Sequence, residues 1–184
     1  MQWRLTLLQG AADQPRRATT GHELLVALLK DKEVHAIERL FRLLGLELRG
    51  EDLRRIYRGL RNSNPKVRAG SRELIENLIR PPLREAVLAL VDDAPDWQRL
   101  IRARPFFRSA RLDYDAVLAA LLEQNSETVR CLAAYHIGEL GLTDLRAQLS
   151  AIDTRKSGFF LARMVEKALR MLGDQGEPRL AHAP

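Results

Sequence analysis

Apolar residues recur at helical spacing along most of the chain. Ile37, Leu40, Phe41 and Leu44 follow the i, i+3, i+4, i+7 spacing that places side chains on one helix face. A similar group of leucines precedes them, and the two groups are separated by the polar stretch 30–33, which is either a break or one solvated turn. The pattern therefore predicts helical structure over 22–46.

Further helices are predicted along the rest of the chain, and no stretch shows the period-two alternation of a strand. Asn64 followed by Pro65, Asp113 and Ser126 are typical N-terminal caps. The apolar faces include Trp97 and, in the last helix, Phe160. The predicted segments are 51–61, 64–79, 83–91, 95–104, 113–122, 126–140, 145–152 and 157–173. The fold class is all-α.

Three regions are expected from this pattern. Residues 1–21 form an N-terminal arm or linker, 22–173 form the helical domain, and 174–184 form a flexible tail. The longest uninterrupted apolar run, Ala116 to Leu122, has seven residues, far fewer than the roughly 18 that a membrane span needs. We therefore expect no membrane span.

Part of the sequence repeats. A shift of 62 residues places Asn64 on Ser126, Val67 on Val129 and Ile75 on Ile137. A helix–turn–helix unit of about 30 residues therefore recurs, as expected of proteins that bury their apolar helix faces by stacking similar units. The predicted pairs span 51–79, 82–104, 113–141 and 143–173, after a first helix or pair at 22–46.

The segments 64–69 (NPKVRA) and 126–131 (SETVRC) resemble the start of the second helix of HEAT repeats. The resemblance implies an α-solenoid of about four antiparallel helix pairs with an armadillo-type fold. It also implies a non-catalytic protein-interaction or regulatory scaffold. The runs 36–46, 57–61 and 73–79 are similar to the HEAT-like region of bacterial ADP/ATP-translocase-like membrane proteins. In that group the region lies beside a transporter-type membrane part, which this sequence lacks, so the similarity implies a detached or excised regulatory module.

Positive charge is concentrated in the middle of the chain. The formal net charge is +6, and residues 39–111 contain 17 Lys or Arg against 9 Asp or Glu, a balance of +8. The candidate partner-binding residues lie in this region and are Arg54, Arg58, Arg61, Arg68, Arg72, Arg99, Arg102, Arg104 and Arg108.

Two aromatic residues, Phe106 and Phe107, lie within the second half of this basic region. Arginine with aromatic side chains can hold nucleic acid through phosphate contacts and stacking. The alternative partners are a protein, which we favour, and the anionic surface of a membrane. A further interpretation is an ordinary solvated face whose arginines are ion-paired. The nucleic-acid alternative corresponds to HEAT-like DNA-repair glycosylases.

No catalytic or metal-binding constellation is visible. The four histidines lack metal-ligand spacing, and His136 is expected to be a half-buried, hydrogen-bonded residue. Cys131, the one cysteine, is expected to be a small packing residue, and Asp92, Asp93 and Asp96 lack the longer pattern of a calcium loop. We therefore predict a protein without enzymatic activity, metal or cofactor. The unpaired cysteine and the absence of a signal-peptide pattern predict a cytoplasmic location, at the inner face of a membrane if the transporter similarity holds.

Overall fold

The computed structural model describes residues 1–48, 50–107, 110–153, 155 and 158–174; for Asp174 it describes the backbone alone. Within these residues the chain forms α-helices and short 3-10 segments, with no strand. The all-α prediction is therefore confirmed. None of the helices in this part of the chain is both long enough and apolar enough to cross a bilayer.

The chain divides into two compact units. Unit 1 consists of residues 1–2 and 30–110, and unit 2 consists of residues 3–29 and 111–184. The prediction of one repeat domain over 22–173 is not tested by this division and stays a prediction. Residues 175–184, most of the predicted tail, lie outside the described residues.

Unit 1 contains the helices that bear most of the predicted basic residues. Its helices are the second part of α2 (Thr20–Glu47), α3 (Leu53–Leu60), α4 (Pro65–Leu78), α5 (Leu83–Val91) and α6 (Asp96–Ala103), followed by a 3-10 turn at Arg104–Phe106. Within the unit α3 packs on α4, α4 on α5, and α5 on α6.

Unit 2 begins with α1, which lies in the segment predicted as an arm or linker. Its helices are α1 (Gln2–Asp13), the first part of α2, α7 (Tyr114–Leu122), α8 (Glu127–Leu140), α9 (Arg146–Ser150) and α10 (Phe159–Asp174), with 3-10 turns at Pro15–Arg17 and Thr143–Leu145. In this unit α8 packs on α7 and α10, and α9 packs on α7 and α10. Leu7 of α1 is fully buried in the core of the unit.

Helix α2 runs without a break through the polar stretch 30–33. Lys30, Asp31 and Lys32 are exposed, so this stretch is a solvated turn of one helix. Lys and Glu, which occupy three of the four positions, have good helix propensity, and a turn that faces water needs no apolar side chains. Of the two alternatives that the sequence left open, the structure shows the continuous helix.

Local capping sets several of the helix starts. The side chain of Asn64 accepts a hydrogen bond from the Lys66 N–H at 2.9 Å, and that of Asp113 accepts one from the Ala116 N–H at 2.8 Å. Both are predicted caps, and each satisfies a backbone donor that the first helical turn leaves without a partner. Ser126 occupies the N-cap position of α8 without a side-chain capping bond. Gly141 ends α8 in the left-handed conformation with φ of 66°.

Each unit has its own apolar core. In unit 1, Leu53, Ile56 and Leu60 of α3 are buried with Phe41 and Ile75. Their i, i+3, i+7 spacing places them on one face of the helix predicted over 51–61. Burial of such side chains contributes about 1.5–3 kcal/mol each relative to exposure.

The core of unit 2 depends on a close contact between two helices. A Cβ atom at Gly138 of α8 would lie 2.8 Å from the Cα of Ala168 in α10. The two backbones can therefore approach only because position 138 has no side chain. Ile137 and Val165, beside this contact, are also buried.

Several residues on the predicted apolar faces are exposed. They are Val67 and Leu74 of α4, Trp97 and Ile101 of α6, and Phe160 of α10. Helical periodicity identifies these faces correctly, but one face of a helix can be wider than its neighbours cover. Trp97 and Phe160 lie on predicted apolar faces, and the structure leaves both of them largely exposed.

Candidate functional site

Helix α3 has the apolar core of unit 1 on one side and two of the predicted basic residues, Arg54 and Arg58, on the other. Asp52 caps the helix by accepting a hydrogen bond from the Arg55 N–H at 3.0 Å. Because Leu53 and Ile56 face the core, Arg54 and Arg58 are exposed on the other side. Neither arginine forms an ion pair with another residue that the structure describes.

Arg68 is held in place at the start of α4. Its Nε donates to Asp93 Oδ2 at 2.8 Å, and one terminal nitrogen donates to the carbonyl oxygens of Asn62 and Ser63, each at 2.8 Å. The guanidinium therefore joins the loop before α4 to the loop after α5. These charge-assisted bonds occupy three of the five N–H donors of Arg68 and hold its guanidinium in place.

Two further predicted residues contact the carboxylate of Asp92. Arg72 lies 3.6 Å from Asp92 Oδ2 and also donates to Glu76 at 3.1 Å, and Arg102 donates to Asp92. Arg99 forms an ion pair with Asp96 at 2.8 Å and donates to the carbonyl oxygen of Leu90. Arg68, Arg72, Arg99 and Arg102 therefore have carboxylate partners within unit 1.

The remaining predicted residues differ in their surroundings. Arg61 donates to the hydroxyl of Tyr57 at 3.2 Å and lies 5.7 Å from the centre of its ring. Arg104, in the 3-10 turn after α6, is exposed and has no ion-pair partner among the described residues. Arg108 lies outside the described residues. Of the nine predicted residues, Arg54, Arg58, Arg61 and Arg104 therefore lack a carboxylate partner among the described residues, and of these four Arg61 is held by the neutral Tyr57 side chain.

A cleft of about 400 Å³ lies beside the paired arginines within unit 1. Its wall includes Val34, Ile37 and Leu90, while Lys30, Arg61 and Asp93 contribute charges of both signs. Mixed charges partly cancel, so the cleft does not present the uniform positive field that attracts a polyanion.

Large apolar side chains are exposed next to these charges. Trp97 is 56% exposed and Ile101 53%, and they lie one turn apart on the same side of α6. Phe106 and Phe107, which follow the helix, are each 40% exposed. We call these four residues the α6 patch. Exposed apolar patches on proteins often mark interaction sites.

Unit 2 contains a second cluster of interest, which is buried. The hydroxyl oxygen of Tyr114 lies 2.6 Å from His136 Nε2 and 3.2 Å from His22 Nδ1. His136 Nδ1 lies 3.1 Å from Glu139 Oε2, and Thr19 donates to the same carboxylate oxygen at 2.5 Å. A Cβ atom at Gly21 would overlap the Glu139 carboxylate, so a side chain there would displace that carboxylate from its place beside His136.

Proton positions in this cluster follow from the Glu139 carboxylate, which can only accept. His136 therefore donates from Nδ1 to Glu139 and accepts at Nε2 from the Tyr114 hydroxyl. His22 Nδ1 in turn donates to the Tyr114 oxygen. The result is a chain of hydrogen bonds from His22 through Tyr114 and His136 to Glu139, with Thr19 at its end.

Burial sets the protonation states of the cluster. It lowers the pKa of His136 and of His22, although the neighbouring Glu139 and Glu23 carboxylates oppose the effect. Burial also raises the pKa of Tyr114 to about 12. Near neutral pH the histidines are therefore uncharged and the tyrosine keeps its proton.

The buried cluster joins the segment after α1 to α7 and α8. Its three rings are almost closed to solvent, with His136 fully buried. His136 is thus hydrogen-bonded as predicted, but it is fully rather than half buried. The hydrogen bonds of Tyr114 to His22 and to His136 are not predictable from local patterns, because they join residues 92 and 22 positions apart.

The other chemically reactive residues form no site of this kind. Cys131 of α8 is partly buried, and burial raises the pKa of its thiol. Within the described part of the chain, no three residues of the types His, Cys, Asp and Glu lie close enough together to hold a metal ion.

No protein-family model, curated protein or solved structure matches the chain. The physical properties of its surfaces therefore carry the functional conclusion.

Proposed function

We propose that this protein is a non-catalytic protein-interaction module of HEAT-repeat type, which binds a protein partner through the α6 patch. The single observation that carries the proposal is the exposure of Trp97, Ile101, Phe106 and Phe107 within an 11-residue stretch. Full burial of a large apolar side chain contributes about 1.5–3 kcal/mol relative to exposure. Because these four side chains are 40–56% exposed, a partner can recover roughly half of that free energy for each.

The charges beside the patch fit a protein partner. Arg104 lies within the same stretch, whereas Arg99 and Arg102 are held by Asp96 and Asp92. Aromatic residues with an exposed arginine are typical of the residues that dominate the free energy of binding at protein interfaces. The internal ion pairs limit the number of arginines available for phosphate contacts.

The stacking of the helices in antiparallel pairs is also part of this proposal. Helix packing between neighbours along the chain, α3 on α4 and α5 on α6 in one unit and α7 on α8 in the other, supports stacked helix pairs of HEAT type. In an interaction module the helices supply a rigid frame and the exposed side chains supply specificity. The similarity to the HEAT-like region of transporter-like proteins suggests a bacterial, cytoplasmic module of this kind.

Affinity capture with matched variants tests the proposal. The bait is the full chain, compared with Ile101→Ser, which removes an exposed apolar side chain of the patch, and with Leu74→Ser, which does the same on α4. We expect the wild type and Leu74→Ser to retain the same protein, and Ile101→Ser to lose it. Equal capture by all three baits would contradict the role of the α6 patch.

Nucleic acid is the second candidate, and it is favoured by the free Arg54 and Arg58 on one face of α3. Fluorescence anisotropy with labelled duplex and single-stranded DNA at about 50 and 200 mM salt tests it, because phosphate contacts give a steep loss of affinity with salt. Binding that weakens steeply with salt and is lost in Arg54→Glu would favour nucleic acid. No binding at the lower salt concentration would exclude DNA.

A further inference from the structure

A groove of about 540 Å³ lies within unit 2, between α8 and α10. Thr128 and Cys131 of α8 and Phe160 and Met164 of α10 line it. Phe160 is 75% exposed, although it lies on an apolar face of its helix. The groove therefore combines an apolar lining with an aromatic side chain that the described structure leaves mostly exposed.

Three cations lie along the α10 side of this groove. Arg163, Lys167 and Arg170 follow i, i+4, i+7 spacing and also contribute to its lining. All three side chains are exposed. On a helix they form one row about 10 Å long, since each residue adds about 1.5 Å.

These cations are not neutralised by the groove itself. None forms an ion pair with a carboxylate whose position the structure describes. Two of them lie near aromatic rings instead, with Lys167 Nζ 4.9 Å from the centre of the Tyr135 ring and the Arg163 guanidinium 5.9 Å from that of Phe159. Such contacts orient the cations and leave their charge uncompensated.

The one acidic residue that lines the groove is already engaged. Glu127 Oε1 accepts a hydrogen bond from the Leu161 N–H at 3.3 Å, and a Cβ atom at Gly158 would overlap its carboxylate. Glu127 thus lies at the N-terminus of α10, where the helix dipole favours a negative charge. The row of cations therefore produces a net positive potential beside the apolar lining of the groove.

We propose that this groove binds an acidic amphipathic helix of a partner protein. The apolar face of the helix packs against Phe160 and Met164, and its carboxylates face Arg163, Lys167 and Arg170. The row of cations matches a helical partner because carboxylates at i, i+4 and i+7 repeat at the same spacing. A concave surface with cations along one side fits a rod better than a flat bilayer.

This inference does not rest on the proposed function. The α6 patch belongs to unit 1, whereas every residue of the groove belongs to unit 2. The two surfaces can therefore be tested with separate variants of the same full-length chain.

Selection from a displayed library of random 16-residue peptides tests the proposal, because the peptide chemistry is then an outcome. The immobilised target is the full chain. We expect enriched peptides to carry Asp or Glu on one helical face and apolar residues on the other. Failure to enrich any peptide, or enrichment of peptides without acidic residues, would overturn the proposal.

Three variants locate the binding of the enriched peptides. Phe160→Ala should raise Kd about tenfold, as for truncation of an aromatic anchor worth about 1.4 kcal/mol. Arg170→Glu should raise Kd about fivefold, a change near the upper range for one exposed ion pair. Arg146→Glu on α9 makes the same charge change away from the groove and should leave Kd within twofold. Peptide binding that Phe160→Ala and Arg170→Glu leave unchanged would overturn the assignment.

Two further measurements distinguish the other anionic partners. The full chain is mixed with phosphatidylserine vesicles and with labelled duplex DNA at the same salt concentration. We expect Arg170→Glu to change neither interaction by more than twofold. Loss of vesicle or DNA binding in Arg170→Glu, without selected acidic peptides, would assign the groove to a membrane or to nucleic acid and overturn the proposal.

Discussion

The hydroxyl of Tyr114 is the central atom of the buried cluster in unit 2, and Tyr114→Phe removes it alone. The substitution eliminates the bonds to His136 Nε2 at 2.6 Å and to His22 Nδ1 at 3.2 Å. A buried hydrogen bond contributes about 0.5–1.5 kcal/mol net, so two lost bonds destabilise the protein by about 1–3 kcal/mol. The upper half of that range is expected because His136 is fully buried and its Nε2 has no other partner among the described residues.

The assay must report the unfolding of unit 2 itself. The chain has two tryptophans, of which Trp3 packs against the unit 2 core and Trp97 is exposed in unit 1. In a Trp97→Phe background, tryptophan fluorescence during urea denaturation at pH 7.5 follows the surroundings of Trp3 alone. We expect Tyr114→Phe to lower the free energy of unfolding by about 2–3 kcal/mol with little change in the urea dependence.

Tyr135→Phe is the matched control. Tyr135 is a half-buried tyrosine of α8 whose hydroxyl has no hydrogen-bond partner among the described residues. Its loss should change the free energy of unfolding by less than about 0.5 kcal/mol. A Tyr114→Phe variant within 0.5 kcal/mol of its parent, or equal losses in both variants, would refute the assignment of the cluster.

The buried histidines, the contact between α8 and α10 and the helix caps can each be tested in the same way. Burial lowers the pKa of both His136 and His22, so below about pH 6.5 the unfolded chain binds more protons than the folded chain and stability falls as the pH drops. The urea midpoint should therefore be lower at pH 5.5 than at pH 7.5. His136→Gln should reduce that difference. Gly138→Ala should cost about 1–3 kcal/mol by overpacking, whereas Gly70→Ala, where nothing lies within 4 Å, should not lower the thermal midpoint. Asp113→Ala should cost about 1 kcal/mol in urea titrations and Ser126→Ala only a few tenths, because only Asp113 forms a side-chain cap.

The features that sequence patterns predicted are the local ones. Asn64 and Asp113 act through backbone groups two and three residues away, and both caps are present. The buried face of α3 follows from the spacing of Leu53, Ile56 and Leu60. In each case the interaction that decides the structure lies within one or two helical turns.

Exposure could not be predicted in the same way. Periodicity placed Trp97 and Phe160 on apolar faces, but it does not show whether another helix covers that face. The short α6 buries Ala103 and leaves Trp97 in solvent, and α10 buries Leu161 next to the exposed Phe160. The two surfaces proposed to bind partners come from this excess of apolar area.

Long-range polar contacts were also beyond local patterns. The positive balance of residues 39–111 was visible, but the pairing of Arg68 with Asp93 joins residues 25 positions apart. In unit 2, Thr19 and Glu139 are separated by 120 residues. Such pairs depend on how helices pack, so composition predicted the charges without predicting which of them stay free.

Photo-crosslinking in cells that express the protein naturally tests the proposed interaction function most directly. A benzoylphenylalanine side chain is placed at Ile101 in the α6 patch and, as the control, at the exposed Glu73 of α4. We expect a discrete protein adduct from position 101 that is absent from position 73. The absence of any protein adduct at position 101, or the same adducts from both positions, would contradict the proposed interaction function.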